Sequence, residues 1–332
     1  MKNYILYLLI STFLILLGIE SLSFIILKLK SKEKSFLFQR IIDNDGFKEY
    51  KIIDPLLGWA ISKEDVVDKE LNVEHNCVVL NSIDSDSSPL KIYISGGSTS
   101  DLTLNNHNWP YYLNKILDQK GIKAKIYIAA VGGYNSGQEL LKLIRDYPSI
   151  KPDIHISYSG ANDPTSSSYA SGFERSILNN AIQSNGIFPN TKSLFLANRK
   201  SSLHLYEEDE IDPLLFWKNN QHAMHALSVE NSYHFASILQ PVLMYTNKNI
   251  NPKGDLESTQ YFLNANNQAY PSFISLADSV VFINNFTNVF SEYADSIVFK
   301  DDCHLISDKY NKKLAERIFE LLECENFLSP VN

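Results

Sequence analysis

The stretch LKIYISGGSTS, residues 90–100, decides the fold class. Its first half is a short apolar run rich in Ile and Tyr, which is typical of a buried β-strand, and its second half is a glycine-containing turn. Two similar runs follow, AKIYIAAV at 124–131 and DIHISYS at 153–159, and amphipathic helical segments separate the three. Strands that alternate with helices predict an α/β fold with a parallel sheet, whose chemistry lies outside the carboxyl ends of the strands.

Local signals place the helices. Trp109-Pro110 opens a helix that Gly121 closes, and Ser136-Gly137-Gln138-Glu139 predicts a capping box in front of LLKLI. Residues 164–232 are less regular and are predicted to be a surface insertion. Beyond them we expect a core segment at 235–245, strands near 279–283 and 296–299, and a final helix over about 307–322.

The N-terminus is the hydrophobic outlier. Residues 4–27 read YILYLLISTFLILLGIESLSFIIL, with Glu20 as the single charge, and a span of about 20 residues crosses a bilayer. A cleaved signal peptide is the alternative, because Ser21-Leu22-Ser23 fits a cleavage site, but the length of the run favours a retained anchor. The predicted organisation is an anchor and juxtamembrane segment at 1–35, a lead-in with little regular structure at 36–89, and a main domain at 90–326.

The composition excludes several functional classes. With 332 residues, 44% of them hydrophobic, the chain can bury one full α/β core, and its net charge of −8 gives no basic footprint for nucleic acid. Cys77, Cys303 and Cys324 lack C-x-x-C spacing, which argues against a zinc ribbon and allows at most one disulfide. The pair His222 and His225 has no third ligand nearby, so we expect neither a metal nor a cofactor.

A polar or glycine residue follows each predicted strand. Ser98, in GGSTS, follows the first strand, where glycines allow a sharp turn that presents a hydroxyl. Gly133, in GGYNS, follows the second strand, and a backbone N–H there can be donated to a developing oxyanion. Asn162, in SGAND, follows the third and has a side-chain NH₂ for the same purpose. Taken alone, each motif is more typical of a turn or a helix cap.

A carboxylate and a histidine lie together near the C-terminus. Asp301-Asp302-Cys303-His304-Leu305 precedes the last predicted helix. An acid three residues before a histidine can hold the imidazole Nδ1–H while Nε2 faces a serine, as in a Ser-His-Asp triad. By sequence alone both Asp301 and Asp302 are within reach of His304. Cys303 is expected to be a packing residue and not a second nucleophile.

The order Ser, Gly, Asn, Asp-x-x-His, each beside a strand end or a helix start, resembles the SGNH (GDSL-like) hydrolases over roughly residues 90–322. The resemblance implies a three-layer, flavodoxin-like parallel sheet with helices on both faces, preceded here by the N-terminal transmembrane helix. The α/β-hydrolase alternative fits less well, because its Gly-x-Ser-x-Gly elbow needs glycine where Ser100 stands.

The resemblance also implies roles for five residues. They are Ser98 as nucleophile, His304 as its base, Asp301 as the acid that orients the base, and the amides of Ser98 and Gly133 with the Asn162 side chain as the oxyanion hole. Two departures from the family pattern stand out. Gly-Gly-Ser-Thr-Ser at 96–100 replaces Gly-Asp-Ser-Leu, and Ile128 and Ala130 stand where Asn and Gly are common.

The activity that the resemblance implies is hydrolysis of an O-acyl ester, most simply an acetyl ester, on a small molecule, a carbohydrate or a cell-envelope glycan. An O-acetyltransferase using the same triad is one alternative, and a non-catalytic glycan-binding or assembly protein is another. For location, the arguments oppose each other. Lysines follow the predicted span and would keep the domain in the cytoplasm, whereas the short lysine-bearing head resembles a signal anchor. We expect the catalytic domain outside the cytoplasmic membrane, periplasmic or at the cell surface, because envelope glycans are a reason to anchor an esterase.

Overall fold

A computed structural model describes residues 11–22, 51–54, 56–61, 66, 71–81, 89–166, 212–243, 245 and 256–328. The chain divides into two compact units, one comprising residues 1–59 and 170–209 and the other residues 60–169 and 210–332. The strands β1 (Lys51–Asp54) and β2 (Gly58–Ile61) form a two-stranded sheet of their own. The larger sheet and the helices that cover it belong to the second unit.

The second unit is built on a seven-stranded sheet in the order β3-β4-β6-β5-β7-β8-β9. Its strands are β3 (Asn72–Glu74), β4 (Cys77–Asn81), β5 (Leu90–Gly96), β6 (Ala124–Ile128), β7 (Ile154–Ser159), β8 (His234–Leu239) and β9 (Ile283–Asn285). The five strands from β6 to β9 pair in parallel. Numbered along the chain, their order is 2-1-3-4-5, which is the flavodoxin-like arrangement. The predicted α/β class is confirmed, with a sheet that is mostly and not wholly parallel.

Helices cover both faces of this sheet. They are α1 (Trp109–Gln119), α2 (Ser136–Ile150), α3 (Asp163–Ser166), α4 (Pro213–Glu230), α5 (Leu256–Ser279) and α6 (Asp308–Cys324). On one face, Tyr93 and Phe235 pack with Leu143 of α2 and Met224 of α4. On the other face, the ring centroids of Trp109 of α1 and Tyr158 of β7 lie 5.4 Å apart, and α6 packs on α1. Successive strand residues point to opposite faces, so the three-layer arrangement follows.

The sheet begins before residue 90, and this corrects the prediction of a lead-in with little regular structure. β3 and β4 form a hairpin whose second strand pairs antiparallel with β6. The hairpin turns at His75 and Asn76, both with positive φ (51° and 55°), as in a two-residue type I′ turn. A His-Asn pair lacks the glycine that normally marks such a turn, so the signal in the sequence is weak.

The predicted insertion at 164–232 also needs correction, because residues 213–230 form α4 and bury Trp217 and Met224 in the core. The polar residues Gln221 and Ser228 are buried on the same helix, which obscures its apolar stripe. Residues 167–211 of that prediction lie outside the described residues.

Several predicted boundaries shift. The capping box is centred on Asn135, one residue earlier than predicted, and Gln138 supplies its second half. Helix α5 runs to Ser279, so the strand expected near 279–283 is β9 at Ile283–Asn285. Residues 296–299 form no strand; only Phe299 makes an isolated bridge, to Leu305.

The N-terminal prediction falls largely outside the described residues. Residues 11–22 form a helix. Among the residues that the structure describes, no helix combines the length and apolar character needed to cross a membrane. The anchor at residues 4–27 therefore stays a prediction.

A layer of buried polar side chains lies between the sheet and helices α2 and α4. Ser95 of β5 and Ser157 of β7 are neighbours in register, and both hydroxyls donate to Glu139 Oε2 at 2.8 Å. Ser95 also lies 2.9 Å from His155 Nε2, and Gln221 of α4 donates to Ser157 at 3.3 Å. Burial and the nearby charge of Asp163 raise the pKa of Glu139 to about 8. We therefore expect the Glu139 carboxyl to be protonated in the folded chain at neutral pH.

This predicts a pH dependence of stability. Because the pKa of Glu139 in the folded state lies above the ordinary glutamate value of 4.5, the folded chain keeps a proton that the unfolded chain releases, so stability falls as pH rises from about 4.5 to about 8. A glutamine side chain at this position would imitate the protonated acid without titrating. We therefore compare the free energy of unfolding of Glu139→Gln with that of wild type at pH 5 and at pH 8.5. The difference should change in favour of the variant by on the order of a few kcal/mol between the two pH values, as measured by chemical denaturation.

Glu230→Gln, at the exposed end of α4, controls for replacing a glutamate by its amide. If Glu139→Gln changes the free energy of unfolding equally at both pH values, Glu139 does not carry a proton in the folded state.

Candidate active site

The predicted site residues gather at the carboxyl edge of the parallel sheet. Ser98 follows β5, Gly133 follows β6 and Asn162 follows β7. β5 lies between β6 and β7, so the chain leaves it in one direction through α1 and reaches its other neighbour through α2. Such a reversal of strand order opens a crevice outside the strand ends, where α/β proteins place their ligands.

Ser98, His304 and Asp301 form a continuous chain of hydrogen bonds. His304 Nε2 lies 2.7 Å from Ser98 Oγ, and His304 Nδ1 lies 2.8 and 2.9 Å from the two Asp301 carboxylate oxygens. An ionised carboxylate only accepts, so Nδ1 carries the hydrogen and Nε2 is left to accept from the Ser98 hydroxyl. The structure thus brings together three residues that lie 206 positions apart from serine to histidine.

The loop that carries His304 is a small antiparallel turn. Lys300 N donates to His304 O at 2.8 Å, and Ile306 N donates to Val298 O at 2.9 Å. Inside the turn, Asp301 Oδ1 accepts from the backbone N–H groups of Cys303, at 3.1 Å, and His304, at 2.8 Å. The Asp301 carboxylate is therefore fixed by the backbone before it meets the imidazole.

The structure also distinguishes between Asp301 and Asp302, either of which could reach His304 by sequence spacing alone. Asp301 contacts His304. Burial alone would raise the pKa of Asp301, but the charge of His304 and its hydrogen bonds lower it to about 2. Burial and the Asp301 charge raise the pKa of Asp302 to about 6. The backbone carbonyl of Asp302 accepts from Leu243 N at 2.8 Å, so this residue fastens the loop to the segment after β8.

The turn that carries Ser98 is held by residues whose role the sequence did not reveal. Ser100 N donates to Gly97 O at 3.1 Å, closing the turn. Asn108 Nδ2 donates to Ser98 O at 3.2 Å, and Trp109 Nε1 donates to Ser100 Oγ at 2.9 Å. Asn108 precedes α1 at a position where an asparagine side chain usually caps the helix, but it makes no cap hydrogen bond. The sequence alone would therefore have assigned Asn108 a capping role.

Gly97, in the turn that carries Ser98, leaves space for the Asn162 side chain. A Cβ added at Gly97 would lie 2.5 Å from Asn162 Nδ2, so any side chain there would displace the Asn162 amide. That amide is oriented by donation to Tyr134 O at 2.8 Å. Glycine at position 97 therefore lets the Asn162 side chain approach the Ser98 turn.

Gly133 sits at a turn that only glycine enters readily. Tyr134 N donates to Val131 O at 3.0 Å, and Gly133 has φ of 85°, the values of a type II turn with glycine in its third position. Gly133 is exposed, whereas Gly132 and Tyr134 on either side are buried. The exposed position of Gly133 is compatible with the prediction that its backbone N–H faces the site. That assignment stays a prediction.

Cys303 and the histidine pair that the sequence also offered as candidates take part in packing. Cys303 is buried in the cluster that contains Tyr270 and Phe273, and no disulfide links Cys77, Cys303 and Cys324 to one another. The His225 ring stacks on Phe282 at 4.0 Å between centroids, which is a packing contact. Among the described residues, the one group with metal-ligand spacing is Asp301, Cys303 and His304, so a metal there would compete with the hydrogen bond between Asp301 and His304. The absence of a metal requirement stays a prediction.

The chain matches no protein-family model and no curated protein. It does match solved structures. One is the acetyl xylan esterase AlAXEase, at 14% identity and a TM-score of 0.42, covering 70% of this chain and 99% of that one. Another is the psychrotrophic esterase EstA from Pseudoalteromonas sp., at 15% identity and a TM-score of 0.38, covering 71% and 98%. A third is a GDSL-like lipase from Bacteroides thetaiotaomicron, at 14% identity and a TM-score of 0.38, covering 71% and 89%.

Proposed function

We propose that this chain is a serine esterase of the SGNH type, with Ser98 as nucleophile, His304 as general base and Asp301 as the acid that orients His304. The observation that carries the proposal is the unbroken hydrogen-bond chain from Ser98 Oγ through both nitrogens of His304 to Asp301. A serine hydroxyl is a weak nucleophile at neutral pH, and an adjacent base that is itself held by a carboxylate is the usual means of activating it.

The reaction follows from this geometry. As Ser98 Oγ attacks the ester carbonyl, His304 Nε2 takes its proton and Asp301, ionised because its pKa is lowered to about 2, stabilises the imidazolium. The imidazolium then protonates the departing alcohol, which leaves an acyl-serine. Water that gives its proton to His304 attacks this acyl group, and the imidazolium returns the proton to Ser98 Oγ as the bond between the acyl group and Ser98 breaks and the acid leaves. Amide groups of Ser98, Gly133 and Asn162 serve the oxyanion in both steps.

For the substrate we propose an O-acyl ester, most simply an acetyl ester, on a carbohydrate or a cell-envelope glycan. Ser98, Asn162 and His304 are all partly exposed, so the site is accessible to a group carried on a large molecule. The sequence resemblance and the predicted membrane anchor support this substrate class, and with them a position outside the cytoplasmic membrane.

The test is turnover by the full-length chain in detergent. p-Nitrophenyl esters of increasing acyl length report hydrolysis and acyl preference, and an acetylated glycan reports the proposed class. A parallel reaction with an unacetylated sugar acceptor separates hydrolysis from acetyl transfer, because transfer gives acetylated acceptor in place of free acetate. If the folded protein hydrolyses none of these esters and transfers no acetyl group, the proposal is contradicted and a binding role is favoured.

Asn162→Ala should lower kcat by roughly 10² to 10³ and change KM much less, because the donor is proposed to act on the transition state and not on the bound ester. Steady-state kinetics with p-nitrophenyl acetate measure both constants. Asn231→Ala, an exposed asparagine at the end of α4, is the matched control and should leave kcat at the wild-type value. An unchanged kcat in Asn162→Ala would make Asn162 only a turn residue.

A further inference from the structure

Asp101 is a fully buried carboxylate that joins two loops of the site. Its exposed fraction is 0%. Oδ1 accepts from Thr103 N at 2.8 Å and from Thr103 Oγ1 at 2.6 Å, within the loop that follows Ser98. Oδ2 accepts from Gly132 N at 2.8 Å, across a separation of 31 residues. One carboxylate thus ties the loop after β5 to the loop after β6.

The bond to Gly132 falls at a sensitive point of the second loop. Gly132 and Gly133 are the two central residues of the turn from Val131 to Tyr134. The Gly132 N–H belongs to the peptide that enters this turn, so the Asp101 bond fixes where the turn begins. The next peptide carries the Gly133 N–H, and a shift at the start of the turn would move that group with it. Glycine places little restraint of its own on the backbone at these two positions.

The nucleophile loop is held by the same residue. The backbone carbonyl of Asp101 accepts from Asn108 Nδ2 at 3.0 Å, and the same nitrogen donates to Ser98 O at 3.2 Å. Asp101 is therefore connected to the backbone of Ser98 on one side and to the Gly132–Gly133 turn on the other. A charged acceptor makes shorter and stronger hydrogen bonds to N–H groups than a neutral one, which suits a side chain that holds two loops together.

We propose that Asp101 is a positioning residue: its carboxylate fixes the Gly132–Gly133 turn so that the Gly133 N–H is aimed at the oxyanion formed on Ser98. This inference rests on the proposed function and adds to it a residue that touches no substrate atom. Its effect is on the aim of one donor, and misplacing such a donor by a fraction of an ångström weakens transition-state binding with little effect on substrate binding.

The test compares an ester with its thionoester analogue, in which sulfur replaces the carbonyl oxygen. N–H donors stabilise a developing oxyanion better than a developing thiolate, so the ratio of the two kcat values reports the alignment of the hole. Asp101→Asn has the same shape but cannot accept at both positions. It should lower kcat for the ester by about 10-fold to 100-fold, leave KM nearly unchanged, and reduce the ester-to-thionoester ratio. A loss of folded protein would lower the measured kcat for both substrates by the same factor and leave their ratio unchanged.

Thr103→Val is the matched control, because it removes a hydroxyl that bonds the same carboxylate but leaves the bond to Gly132. It should keep the wild-type ratio. The role of Asp101 is overturned if Asp101→Asn keeps the wild-type kcat and ratio while wild type is active, and the proposed function then stands. Wild type inactive on both substrates would overturn both.

A measurement on the wild-type protein covers the event that Asp101→Asn does not fold. Amide hydrogen exchange followed by NMR should show the Gly132 N–H protected by its carboxylate bond. Exchange of that amide at the rate of an unprotected peptide would overturn the positioning role without any variant.

Discussion

Ser98→Ala and His304→Ala should each lower kcat by about 10⁴ to 10⁶, and the double variant should be hardly slower than either, because nucleophile and base act as one unit. The 2.7 Å contact between Ser98 Oγ and His304 Nε2 is the basis for this expectation, since neither group is activated without the other. Hydrolysis of p-nitrophenyl acetate measures the loss, and thermal unfolding shows that the variants remain folded.

Two controls match these substitutions. Ser272→Ala removes the hydroxyl of an exposed serine on α5, and His107→Ala removes a histidine that pairs with Asp308 at the surface. Both should stay within a few-fold of wild type. Wild-type activity in Ser98→Ala would show that the assigned nucleophile is wrong.

Asp301→Ala should lower kcat by about 10³ to 10⁴, whereas Asp302→Ala should cost less than about 10-fold. Removing Asp301 deletes the acceptor that holds the tautomer and orientation of His304, and it also releases two backbone N–H groups of the histidine loop. Asp302 holds that loop mainly through its backbone carbonyl, which alanine retains.

Kinetics at pH 8 for both variants provide the comparison, because both carboxylates are then ionised in wild type, with pKa values of about 2 for Asp301 and about 6 for Asp302. The reverse ranking of the two variants would transfer the orienting role to Asp302 and contradict the hydrogen bonds seen at His304.

The positions of the site residues were predictable because parallel strands place their carboxyl ends at one edge. Strand ends near Ser98, Gly133 and Asn162 follow from short apolar runs that the sequence marks clearly, and the structure brings these residues to the same edge. Residue spacing alone left the choice between Asp301 and Asp302 open, and only the family resemblance selected Asp301. The choice depends on which carboxylate the backbone of a tight turn holds, and the sequence does not specify this.

The two parts of the fold that sequence reasoning missed, α4 and the β3–β4 hairpin, have different physical causes. Helix α4 carries Gln221 on its buried side because the sheet beneath it presents Ser157 and Ser159. Polar residues that satisfy one another in the core cannot be distinguished by type from polar residues that face water. The β3–β4 hairpin was missed because its turn uses two non-glycine residues with positive φ.

The short strands at the two ends of the sheet have a consequence for how copies of this chain behave in concentrated solution. β3 and β9 are both three residues long, so each sheet edge offers few unpaired N–H and C=O groups to an added strand. At the β3 edge, Glu74 pairs with Lys125 at 2.7 Å, and burying that charged pair under an incoming chain would cost free energy. The folded chain is therefore protected against aggregation by strand addition at the places where an open sheet is most vulnerable.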